Sequence, residues 1–128
     1  MERKKRKFRQ SLVFALNGIA CGLRSEPHLR VHLVIAALVL LSGWQLRIAP
    51  GQWSVLLLCI GLVLISELVN TAVEKTVDLV APDYHPLAGA AKDLAAGAVL
   101  VAVFTAVACG LIILGPPLWA RITGLLGG

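Results

Sequence analysis

"WSVLLLCIGLVLI", Trp53 to Ile65, runs straight into "SELVNTAVEKTVD", Ser66 to Asp78, and the joint between them decides the fold. The first stretch is apolar enough for lipid. The second keeps apolar residues at helical spacing but carries three carboxylates, an amide and a lysine. No proline separates the two, so the periodicity predicts one helix from about Gln52 to Val80. Such a helix rises roughly 40 Å at 1.5 Å per residue, more than the hydrocarbon core of about 30 Å. It should therefore cross a bilayer and protrude on one side.

Two more apolar segments flank this helix: "VHLVIAALVLLSGWQL" from Val31 to Leu46 and "LAAGAVLVAVFTAVACGLIILG" from Leu94 to Gly115. Over the 128 residues, 58% are hydrophobic and 15% charged, with a mean hydropathy of +0.83. These values exclude an ordinary soluble domain. The net charge of +5 is unevenly spread, because six of the twelve Lys and Arg lie within "MERKKRKFRQ". A basic arm of this kind could bind nucleic acid. Joined to three apolar helices, it is expected to rest on anionic headgroups, with no nucleic-acid partner. A cytoplasmic N-terminus then leaves only Arg47 and Arg121 of the twelve on the far side, as the positive-inside rule favours.

The expected fold is an all-α membrane protein in a single domain, 1–128. It comprises a basic arm (1–10), an interfacial amphipathic helix (11–24) and spanning helices at 27–46, 52–80 and 88–115. Leu12, Leu16, Ile19 and Leu23 form the apolar stripe of the interfacial helix. "RSEPHLR" interrupts the chain, with Ser25 or Glu26 suited to cap a helix that starts at Pro27. "RIAPGQW" and "APDYHPLAG" supply the next two breaks, and "GPP" at Gly115–Pro117 is expected to stop the last span. Cys21, Cys59 and Cys109 lie apart without metal spacing and read as small core residues.

Glu67, Asn70, Glu74 and Asp78 stand at i, i+3, i+7 and i+11, one face of the second spanning helix. The bland reading is a solvated face whose acids pair with basic residues. Glu67 argues against it, because it lies two residues past Ile65, at a depth where an ionised carboxylate is costly. Lys92 and Asp93 open the third span at the same level, and Glu26 is expected at the same interface. Together these groups include acids able to hold a divalent cation, an ammonium for phosphate and a carboxylate placed to take a proton. There is no GxxxxGK[ST] or GxGxxG, so any nucleotide must be held by metal, side chains and helix ends. His28, His32 and His85 form no ligand motif; His28 and His32 read as structural or interfacial, while His85 lies in the loop beside the acids. Two other readings compete with phosphoryl transfer. One is a small proton-coupled transporter using Glu67; the other is a membrane-anchoring subunit without catalysis.

"SELVNTAVEKTVDLVAPDYHPLAGAAKDLAAGAVLVA" resembles the signature region of the bacterial diacylglycerol kinase family, integral-membrane lipid kinases that include the undecaprenol kinases of Gram-positive bacteria. The likeness covers the E-x-x-N-x-x-x-E-x-x-x-D stripe, the Tyr-His loop pair and the A-K-D opening. "FALNGI" and "SEPHLRVHLVIAALVL" extend it over most of the chain. It implies ATP-dependent phosphorylation of a lipid alcohol, undecaprenol or diacylglycerol, by a homotrimer of the bacterial inner membrane. Glu67 would be the catalytic base, with Asn70 beside it. Glu26 and Glu74 would hold Mg²⁺ on the ATP phosphates. Lys92 and Asp93 would form the nucleotide-site pair, and Asp83, Tyr84 and His85 the loop bordering the nucleotide. The family's basic residue ahead of the interfacial helix falls on Lys7, with Arg6 and Arg9 as alternatives. Its aromatic position falls on Phe14, which has no hydroxyl to donate. Pro27 and His28 depart from the usual Arg or Lys followed by Asn. The style of the first span and of "FALNGI" favours undecaprenol over diacylglycerol.

Overall fold

The computed structural model describes residues 8–126. They form four helices: α1 (Phe8–Ser25), α2 (Pro27–Leu46), α3 (Pro50–Val80) and α4 (Pro86–Leu126). Among the described residues there is no strand. Three helices, Pro27–Leu46, Pro50–Val80 and Pro86–Leu125, are long and apolar enough to cross a membrane. Lys7 and the rest of residues 1–7 lie outside the described residues, whereas 8–10, expected in the arm, are helical.

Prolines open three of the four helices. Pro27, Pro50 and Pro86 each stand in a first turn, where the missing N–H has no intrahelical acceptor to lose. Glu26 occupies the N-cap position of α2 in extended conformation without using its side chain as a cap. At α3 the N-cap is Ala49, which has no side-chain acceptor, and the Gln52 carbonyl instead accepts the Ala49 N–H at 2.9 Å. At α4 the ring Nδ1 of His85 accepts the Leu87 N–H at 3.2 Å. α2 ends on Arg47 in left-handed conformation (φ 52°, ψ 48°). There the Ile48 N–H reaches Gly43 O at 3.3 Å and the Arg47 N–H reaches Trp44 O at 3.2 Å, a Schellman closure with arginine where glycine is usual.

The expected stop at Gly115–Pro117 does not occur, because α4 continues through Pro116 and Pro117 to Leu126. A proline inside a helix removes a backbone hydrogen bond and crowds the preceding turn. Tertiary contacts on both sides of the pair offset that cost. Before it, Ile113 is buried with Ile48 and Leu56, and Leu114 packs against them. After it, Arg121 Nη1 donates to Gln45 O at 3.3 Å. The sequence signal was local, and the packing that overrides it comes from the α2–α3 turn.

That turn holds the apolar core. Ile48, Leu56 and Ile113 are buried, with Val39, Leu46, Trp53 and Leu114 against them. Gly43 permits the approach: a Cβ there would lie 3.1 Å from Ile48 Cδ1 and 3.2 Å from the Trp53 ring. Away from the core, large apolar side chains such as Leu38, Leu58, Ile65, Phe104 and Ile112 are exposed, as lipid-facing surfaces are. At the other end of the helices the contacts turn polar.

Candidate functional site

The buried residues of α3 are Leu56, Cys59, Val63, Glu67 and Thr71. Their spacing of three and four defines one face, so Glu67 sits where the packed apolar stripe becomes polar. Only 7% of Glu67 is exposed. Its burial is offset from α2: His32 Nε2 lies 2.9 Å from Glu67 Oε1. One turn further along α3, Asn70 Nδ2 donates to Glu74 Oε1 at 3.1 Å. Among the described residues, the buried Asn70 Oδ1 has no hydrogen-bond donor. Such an orphan acceptor is uncommon and marks a place where an incoming donor would be favoured.

Glu26 approaches the same end of α3 from the α1–α2 junction. Its Oε1 accepts from Ser25 Oγ at 3.0 Å and lies 3.4 Å from Lys75 Nζ. The α1–α2 corner is tight because Gly22 has no side chain; a Cβ there would meet Leu68 Cδ2 at 3.1 Å and Leu29 Cδ2 at 3.3 Å. From α4, Lys92 Nζ contacts Asp78 Oδ1 at 2.8 Å. Both groups are partly solvated, so their value lies in position more than stability.

The structure thus brings Glu67, Asn70 and Glu74 onto one face, ties Lys92 to the same helix through Asp78, and ties Glu26 to it through Lys75. Asp83, Tyr84 and His85 lie in the exposed α3–α4 connection, with Tyr84 91% exposed and His85 engaged in starting α4. Asp93 is exposed on the first turns of α4, and Phe14 is exposed on α1. Sequence reasoning assigned no site role to two residues, His32 and Lys75. The only signal for His32 was a polar side chain alone in the run Val31 to Leu41. Lys75 lies next to Glu74 and off the acid stripe, and only the folded helix pair shows that it reaches Glu26.

Among the described residues, no three His, Cys, Asp or Glu side chains converge on a protein-only metal cage. Magnesium does not require one, since it commonly takes one or two carboxylates and completes its octahedron with phosphate and water. Glu26 and Glu74 are hard oxygen donors of the kind magnesium takes. Glu26 already accepts a cation, the Lys75 ammonium.

The sequence that builds this site has counterparts in known proteins. The prokaryotic diacylglycerol kinase family model matches residues 13–114. The undecaprenol kinase of Bacillus subtilis (strain 168) is 42% identical over 114 residues, 88% of this chain and 91% of that protein. A diacylglycerol kinase of Synechocystis is 40% identical over 109 residues, covering 84% of this chain and 62% of that protein. The diacylglycerol kinase of Escherichia coli (strain K12) is 42% identical over 101 residues, 79% of this chain and 83% of that protein. The family match takes in the whole acid face of α3, the His32 and Glu26 positions and the lysine of α4, and so the chain belongs to the prokaryotic diacylglycerol kinase family of membrane lipid kinases.

Proposed function

We propose that this chain transfers the γ-phosphoryl group of ATP to the primary hydroxyl of a membrane lipid, with undecaprenol the favoured acceptor and diacylglycerol the second. The observation that carries the reading is Glu67, a buried carboxylate where the packed apolar stripe of α3 turns polar. A lipid alcohol reaches that level from the bilayer side, and a soluble nucleotide reaches Glu74 from the water side. The choice of acceptor rests on the match to a protein named undecaprenol kinase, which covers more of this chain than the match to the Escherichia coli diacylglycerol kinase.

In this reading Glu67 accepts the hydroxyl proton as the lipid oxygen bonds to the γ-phosphorus. The bond from that phosphorus to the β–γ bridging oxygen breaks, and ADP leaves with the electron pair. Asn70 orients Glu74 through the Nδ2–Oε1 hydrogen bond. Lys92 neutralises phosphate charge, exchanging Asp78 for the nucleotide. Glu26 and Glu74 would hold Mg²⁺, which when bound supplies charge neutralisation at the phosphates, where such transfers gain most of their rate. Asp93, the loop Asp83–His85, Phe14 and Lys7 border the nucleotide. The working unit is a homotrimer of the bacterial inner membrane with cytoplasmic N-termini, which places the basic arm, Glu26 and the acid end of α3 on the side where ATP is present. The proton-coupled transporter has no support among the relatives, which are named as kinases.

The deciding experiment incubates purified protein with ATP, Mg²⁺ and either undecaprenol or diacylglycerol, and measures phosphorylated lipid. Faster phosphorylation of undecaprenol is expected. Preference for diacylglycerol would reverse the choice of acceptor, and no product from either would overturn the reading.

A further inference from the structure

We infer that His32 is a positioning residue for the phosphoryl-transfer base: its Nε2–H holds Oε1 of Glu67 so that the second carboxylate oxygen, Oε2, is the one aimed at the lipid hydroxyl. The inference rests on the reading of Glu67 as the base. Its starting observation is the 2.9 Å contact between Nε2 and Oε1, made by side chains only 20% and 9% exposed. An ionised carboxylate can only accept in such a contact, so the imidazole nitrogen donates.

Three features separate this contact from incidental pairing. First, His32 is the only polar side chain from Val31 to Leu41, on a helix otherwise suited to lipid, where an unpartnered imidazole would be costly. Second, the contact bridges two helices, so the orientation of the carboxylate depends on α2 as well as on its own backbone. Third, two other polar groups near Glu67 on α3 are used differently: Asn70 donates to Glu74, and the Ser66 hydroxyl donates to Val63 O at 2.8 Å. His32, held on a neighbouring helix, is thus in position to distinguish the two oxygens of Glu67. A base held by one oxygen presents the other along a fixed direction, and small errors in that direction cost large factors in rate.

The test uses the geometry of the donor. A glutamine at position 32 can place its amide nitrogen near the site of Nε2, whereas an asparagine reaches only as far as Nδ1. His32→Gln, His32→Asn, His32→Leu and Glu67→Gln are compared as full-length protein in lipid vesicles. Nucleotide binding and thermal unfolding are measured on each variant. The expected result is kcat within about threefold of wild type for His32→Gln and a loss of roughly 10- to 100-fold for His32→Asn and His32→Leu. KM for ATP and nucleotide affinity should change little. If His32→Leu does not fold, the Gln and Asn variants decide between them. Equal kcat for Gln and Asn, or a loss carried by KM for ATP, overturns the inference. A fully active Glu67→Gln overturns instead the reading of Glu67 as the base. An inactive Glu67→Gln alongside indistinguishable position-32 variants removes only the role of His32.

Discussion

In the proposed mechanism Glu67 meets two opposing demands: as a base it has to carry a charge, and it is buried away from water. The hydrogen bond from His32 reconciles them, since a charge-assisted contact recovers part of the solvation lost on burial. Glu67→Gln retains size and hydrogen-bonding capacity but cannot accept the proton. It is expected to lower turnover by at least about 100-fold while leaving equilibrium nucleotide binding largely intact, which a paired kinetic and binding measurement would check. Glu74→Gln should behave differently, because its expected partner is a cation. Its activity curve should shift to higher Mg²⁺, with partial recovery at saturating metal. At this scale the three acids and Asn70 were legible from spacing alone, since i, i+3, i+7 and i+11 place them on one face. Two of the contacts that tie the site together, His32 to Glu67 and Lys75 to Glu26, were not. His32 and Lys75 belong to no motif, and what selects them is which helix packs on which, information that one helix's periodicity does not contain.

Among the elements, α3 carries two surfaces on one continuous face: apolar at Leu56, Cys59 and Val63, polar from Glu67 onward. The apolar portion is fixed at the α2–α3 turn, where Gly43 lets Ile48 and Trp53 close over the helix end. Gly43→Val should force those side chains outward and destabilise the protein by about 1–3 kcal/mol, the usual cost of overpacking. A lowered unfolding midpoint in detergent micelles would show it, and an unchanged midpoint would mean that the turn relaxes freely. The three spans were readable from hydropathy, and Pro27 from its place in a first turn, whereas Pro50 and Pro86 read as breaks and in fact open their helices. The course of α4 beyond Gly115 was not readable, because Pro116 and Pro117 are strong local signals for a stop. Their effect is overcome by Ile113 and Leu114 on one side and Arg121 on the other, contacts with residues distant in sequence.

Across the whole molecule, apolar packing gathers at the α2–α3 turn and polar ties at the other end. Each of those ties runs to α3: His32 from α2, Glu26 from the α1–α2 junction and Lys92 from α4. α3 and α4 are 31 and 40 residues long as candidate spans, but α2 has only 20 and is bounded by the extended Glu26 at one end and the left-handed Arg47 at the other. At 1.5 Å per residue α2 reaches about 30 Å, close to the hydrocarbon thickness of a bilayer, while the longer helices have residues to spare. A membrane with longer acyl chains would draw the Glu26 end of α2 inward and pull His32 along α3, away from Glu67. Turnover should therefore peak in phosphatidylcholine vesicles whose hydrocarbon layer is near 30 Å and decline as the chains lengthen. A rate indifferent to chain length would show that α2 tilts or slides without disturbing the carboxylate it helps to hold.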